Sequence, residues 1–121
     1  MAILIAGYID FDPAIATELI VSAQALIQAA LAQDGCIAYS WALDPLHPGR
    51  VRVYEEWTGE AALASHFKGH PYRDMGAHLR SAGWTGFAVK KYRSDLSEPV
   101  YDDAGVPRAD FFSAATTGDP I

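Results

Sequence analysis

The chain has 121 residues, half of them apolar, and a formal net charge of −6. One domain of this length buries roughly two-thirds of the surface that its unfolded form exposes, and the composition is that of a globular protein, not a disordered one. An acidic chain whose densest basic run is Lys90, Lys91 and Arg93 offers no electrostatic footprint for nucleic acid.

Cys36 is the single cysteine, so no internal disulfide and no cysteine-based zinc site can form. That usage fits a reducing compartment, and a cytoplasmic location is expected. The opening MAILIAGYID has no basic stretch before its apolar run and reads as a strand, not a secretory signal. The apolar segment 14–32 is interrupted by Thr17, Glu18, Ser22, Gln24 and Gln28, which makes it amphipathic and too polar to span a bilayer.

In chain order, ILIAGYI (3–9) predicts the first strand. Asp12 followed by Pro13 predicts a helix start, with a side-chain cap and proline at the first helical position. Ile15, Leu19, Leu26, Ile27, Ala30 and Leu31 recur at helical spacing, predicting one helix over 13–33 that stops at Gly35. CIAYSWALD (36–44) and VRVYEEW (51–57) predict two strands joined through the turn DPLHPGR as an antiparallel hairpin. A second helix follows over 60–68, a third over 71–82, and a last strand over 84–92. The order β-α-β-β-α-α-β predicts an α+β, ferredoxin-like protomer, with helices on one face of an antiparallel sheet. Residues 1–93 form this domain. Residues 94–121 form an extension with Pro99, Pro107 and Pro120, rich in acids yet carrying Val100, Tyr101, Phe111 and Phe112, which are costly to leave in water. The extension is expected to pack on its own or a partner subunit.

Both sheet faces look apolar. The first strand offers Ile3, Ile5 and Ile9 on one side and Leu4, Ala6 and Tyr8 on the other. Helices reached by these crossovers cover one side only, so a second copy packed sheet against sheet is expected on the other.

YEEW (54–57), EAALASHF (60–67), HPYRDM (70–75) and the DGC turn with its strand (34–39) together resemble the antibiotic biosynthesis monooxygenase family. The resemblance covers residues 2–93 and implies a dimeric α/β barrel. It also implies a reaction from the family's range: cofactor-independent oxygenation of phenols or quinols, haem degradation, or isomerisation of small phosphorylated sugars. The haem-degrading branch carries an Asn in the first strand, a Trp in the second helix and a His about ten residues later. Here those places hold Gly7, His66 and Gly76, which disfavours haem chemistry.

A cofactor-free oxygenase needs a base for a phenolic proton and an apolar enclosure around the anion. His66 is the candidate base or orienter, three residues after the core-facing Leu63. HFKGH (66–70) places His66 and His70 at a metal-binding spacing, but Gly69 and Pro71 break the helix that the spacing requires. His70 is expected in a cap or loop, and His47 and His78 at the surface. Glu55 and Glu56 point to opposite faces, and the inward one needs Arg52, Arg73 or a tyrosine as partner, a structural salt bridge being expected. Trp57, Tyr72, Tyr39, Trp84 and Arg73 are the candidate substrate contacts, suited to a planar aromatic molecule. No phosphate loop, dinucleotide fingerprint or HExxH is present, so neither an organic cofactor nor a metal is expected. Dioxygen and a small aromatic are the expected reactants. A non-catalytic ligand-binding dimer and an isomerase on the same fold are the rival readings.

Overall fold

The computed structural model describes residues 1–113, and of the extension residues named above Pro120 lies outside that range. Its elements run β1 (Ala2–Asp10), α1 (Pro13–Val21), α2 (Gln24–Leu31), β2 (Cys36–Leu43), β3 (Arg50–Trp57), α3 (Glu60–Lys68), α4 (His70–Ala82) and β4 (Gly86–Ser94). The four strands form one antiparallel sheet in the order β2-β3-β1-β4, the ferredoxin-like arrangement.

The helix expected over 13–33 is two helices, bent by 50° where Ser22 and Ala23 interrupt it. The break is held by His78 of α4, whose Nε2 lies 2.8 Å from the Leu19 carbonyl oxygen and 3.2 Å from Ser22 Oγ. A carbonyl only accepts, so Nε2 carries the proton and donates to it. His78 is therefore a helix-to-helix clamp and not the surface histidine expected from its position. The start of α1 follows the sequence: Asp12 Oδ1 accepts from the Ala14 N–H at 2.9 Å, with proline next in line.

Two smaller corrections fall around α4. Trp84 and Thr85 precede β4 in a turn, where the Thr85 N–H donates to the Asp10 carbonyl at 2.7 Å. His70 is the first residue of α4, because Gly69 takes the extended conformation (φ −86°, ψ 162°) and relieves it of that role.

Register decides which side chains meet. Ile5 pairs with Glu55 and Gly7 with Val53 across β1 and β3, while Tyr39 pairs with Glu55 and Trp41 with Val53 across β2 and β3. Directly paired residues share a face, so Tyr39, Glu55 and Ile5 form one row beneath the helices, and Trp41, Val53 and Gly7 the next. Gly7 lies so close to β4 that an added Cβ would sit 2.1 Å from the Ala88 carbonyl oxygen. No side chain fits there, the asparagine of the haem-degrading pattern included.

The core is divided. One cluster gathers Phe11, Ala16, Leu19, Ala23, Val51, Met75 and Leu79; the other gathers Ile3, Ile5, Ala30, Tyr39, Trp57 and Leu63. Ile27 and Trp41 touch both. The opposite face of the sheet carries Leu4, Ala6, Tyr8, Tyr54 and Tyr92 with no element of the described chain over it; Tyr54 is 40% and Tyr92 50% exposed. Among the described residues no single helix is long and apolar enough to cross a membrane. Beyond Ser94 the chain folds locally: Tyr101 bridges Pro107, Asp102 Oδ1 accepts from Ala104 and Val106, and Arg108 pairs with Asp110 and Asp102.

Candidate functional site

Between α4 and the sheet lies a cavity of about 630 Å³, within the range that holds a drug-sized ligand. Its floor is the strand rows just described, through Ile5, Ile9, Tyr39, Trp41, Val53 and Glu55. Its roof is the face of α4 that repeats at helical spacing through Tyr72, Met75, Gly76 and Leu79, with Trp84 and Val89 closing one end.

Glu55 is the one carboxylate on this wall, and it is 7% exposed. Its partner is not an arginine: Arg52 pairs with Asp44 and Arg73 with Asp74, while Tyr54 donates to the outward Glu56. Instead the Trp57 indole N–H donates to Glu55 Oε1 at 2.9 Å. Burial pushes the Glu55 carboxyl above its ordinary range, and the indole hydrogen bond opposes that shift only in part.

His66 stands directly behind this carboxylate. It is 1% exposed, stacked on Trp57 with ring centroids 4.4 Å apart and flanked edge-on by Tyr39 and Tyr72. Its Nδ1 lies 2.6 Å from Gln33 Oε1, so Nδ1 donates to that amide oxygen and Nε2 faces Glu55 Oε1 at 3.9 Å. Burial lowers its pKa. The two shifts act together: both favour a neutral imidazole beside a carboxyl that holds its proton more tightly than usual.

Of the residues singled out from the sequence, Tyr39, Tyr72, Trp84 and Arg73 line the cavity. His66 and Trp57 do not. His66 faces a shallower pocket on the other side with Gln33, Thr58 and Ser65, and Trp57 is fully buried between His66 and Glu55. His70 is exposed, and no group of three His, Cys, Asp or Glu is placed to hold a metal among the described residues.

Sequence reasoning missed the Trp57–Glu55 hydrogen bond and the Gln33–His66 hydrogen bond, which flank the 3.9 Å approach of His66 to Glu55. Strict alternation along β3 put Glu55 on the face of Val51, Val53 and Trp57, a signal that would have found it. Gln33 had no such signal, because its role depends on how α2 ends against α3. Trp41 Nε1 is the buried side-chain polar atom without a hydrogen-bond partner among the described residues. Such a group costs about 1–3 kcal/mol, and this one falls in the wall of the cavity. Beside it, burial above all pushes the Tyr39 hydroxyl up to about 12, a shift the nearby Trp41 indole moderates and the Glu55 charge reinforces. Tyr39 therefore stays protonated and can donate a hydrogen bond into the cavity.

The model of the antibiotic biosynthesis monooxygenase family matches residues 2–85. The chain belongs to the antibiotic biosynthesis monooxygenase family. Solved structures share its fold: a conserved protein from Methanosarcina mazei Go1 superposes with a TM-score of 0.70 at 22% identity, over 78% of this chain and 94% of the other. A Deinococcus radiodurans protein bearing the family's name gives 0.71 at 20% identity, over 80% and 96% of the two chains. A Mycobacterium tuberculosis protein gives 0.68 at 21%, over 81% and 98%. Likeness at these identities is one of fold. No curated protein matches the chain in sequence.

Proposed function

We propose that the protein is a monooxygenase that oxygenates a phenol or quinol in the cavity between α4 and the sheet, with no metal or organic cofactor. Glu55 carries the reading: a buried carboxylate, oriented by an indole N–H, on the wall of a 630 Å³ aromatic cavity in a chain of this family. Burial raises its affinity for a proton toward that of a phenol, which makes the transfer less uphill.

Glu55 takes the phenolic proton, and the phenolate passes one electron to dioxygen. The two radicals join at a ring carbon, and the resulting hydroperoxide loses water. A phenol and one dioxygen give a quinone and one water, so the substrate is its own reductant. The apolar walls keep bulk water from the peroxide. His66 is the positioning residue, its Nε2 next in line for the proton, and Gln33 fixes its tautomer. Tyr39, Tyr72 and Trp84 flank the ring, Arg73 stands at the mouth, and Trp57 acts on Glu55 instead of the substrate. The reading includes a second copy on the open sheet face, with the exposed Val100, Tyr101, Val106 and Phe111 of the extension packed against it.

A cavity filled by its own side chains, with no titratable group facing in, would have favoured a non-catalytic dimer; this one is open and has Glu55 on its wall. The test is oxygen uptake by metal-stripped protein with a panel of hydroquinones. Uptake is expected, falling by about 100-fold or more in Glu55→Gln. Silence across the panel removes the oxygenase reading, and uptake unchanged in Glu55→Gln removes the role of that carboxylate. Product formed equally without oxygen would instead identify an isomerase or lyase using the same base.

A further inference from the structure

The cavity is apolar within and cationic at its mouth. Lys68 at the end of α3 and Arg73 and Arg80 on α4 all line it, and all three are exposed. Arg73 and Arg80 lie seven residues apart, two turns along one face of α4, with Gly76 between them giving no side chain to the roof. The chain as a whole is acidic, with 15 Asp and Glu against 9 Lys and Arg, yet three of those nine cations converge on this opening. They are barely neutralised. Arg73 makes a 3.4 Å contact with its neighbour Asp74, while Lys68 and Arg80 make no ion pair among the described residues. Phe67, Tyr72 and Trp84, exposed by 46%, 48% and 42%, also border the opening and offer ring faces beside those charges.

We propose that the cavity takes an aromatic molecule bearing a fixed anionic group, a carboxylate, sulfonate or phosphate, which Lys68, Arg73 and Arg80 hold at the mouth while the ring lies over Glu55. This rests on the reading of the cavity as the functional site and adds the class of ligand. The orientation follows from charge. An ionised Glu55 repels an anion at the floor, so the fixed charge stays among the cations and the end carrying a transferable proton goes inward. A planar hydrophobic body matches the floor of Ile5, Tyr39, Trp41 and Val53. The guanidinium fork suits carboxylate, sulfonate and phosphate oxygens alike.

The experiment reads binding without turnover, by quenching of tryptophan fluorescence, since Trp41 and Trp84 line the cavity. The probes are 2-naphthol, 6-hydroxy-2-naphthoate and 6-hydroxynaphthalene-2-sulfonate at neutral pH. The two anions are expected to bind about tenfold tighter than 2-naphthol, which is what three pairs of surface strength supply together. That advantage shrinks as salt rises from about 20 to about 500 mM. Replacing Lys68, Arg73 and Arg80 by Gln together removes that preference at an unchanged melting temperature. Equal affinity for all three probes, no binding of any, or a preference that survives the triple substitution overturns the proposal. Oxygen uptake with the same probes separates the two claims. Anion preference without uptake keeps this ligand class and removes the oxygenase, whereas uptake without preference does the reverse.

Discussion

Glu55 and His66 are titratable side chains that the fold has taken out of water, 7% and 1% exposed. The ordinary value for a glutamate is 4.5, and burial raises Glu55 above it. A group raised on folding contributes stability that is complete below its unfolded value and is lost as pH rises through the folded one. Glu55→Gln is therefore expected to gain stability over wild type as pH climbs above 4.5, even as activity falls; parallel urea titrations along the pH axis measure it. His66 has the opposite sign, with its pKa lowered from 6.5, so its contribution is present above that value and is lost as pH falls. Gln33 underwrites this arrangement. Gln33→Leu leaves the Nδ1–H of a buried imidazole without an acceptor and is expected to cost about 1–3 kcal/mol in chemical denaturation. Much of this scale was hidden in the sequence. His66 stood out as a titratable residue near an apolar helix face, but whether it or Glu55 met the cavity depended on the rotation of α3 over the sheet. Trp57 was legible as an inward aromatic; that its N–H would serve Glu55 depended on both lying two residues apart on one face of β3.

The type of the strands and helices was legible because β1 is a short apolar run, β2 alternates large with small residues, and the helical segments repeat at about 3.6. The bend between α1 and α2 was not, since no proline or glycine interrupts residues 14–32 and the apolar spacing continues past Ser22. At the break the Leu19 carbonyl accepts from Ser22 Oγ at 3.1 Å and from His78, 59 residues away, which also meets Ser22 Oγ. His78→Ala removes the longer-range of the two donors to this part-buried carbonyl. The expected loss is about 1 kcal/mol, read as a lower urea midpoint with unchanged slope, and the cavity's ligand affinity should not move. An unaltered midpoint would mean the bend is set by packing of Leu19 and Ala23 alone.

For the whole molecule, one face of the sheet is buried beneath the helices and the other is partly exposed. The open face centres on Ala6 and Tyr54, which pair directly across β1 and β3. A dimer formed there gives a species of twice 13.1 kDa in sedimentation equilibrium. Ala6→Arg combined with Tyr54→Asp is expected to yield monomer; a wild-type chain that sediments as a monomer at high concentration ends the expectation. The sequence showed two apolar faces, because alternation in β1 is blurred, and so pointed to a missing cover. It showed nothing of the void under α4, since a cavity is made by what Gly76 leaves out and by how the helix lies over the sheet, and the second has no letter in the sequence.

Gly69 closes α3 and opens α4 in one residue. No slack chain separates the helix that carries His66 from the helix that roofs the cavity, so the placement of that roof and of the imidazole stacked on Trp57 both depend on one backbone position. A Cβ added there would come within 2.7 Å of the Gln33 amide nitrogen. Gly69→Ala is expected to push the end of that side chain aside and weaken its bond to His66, read as a lower urea midpoint.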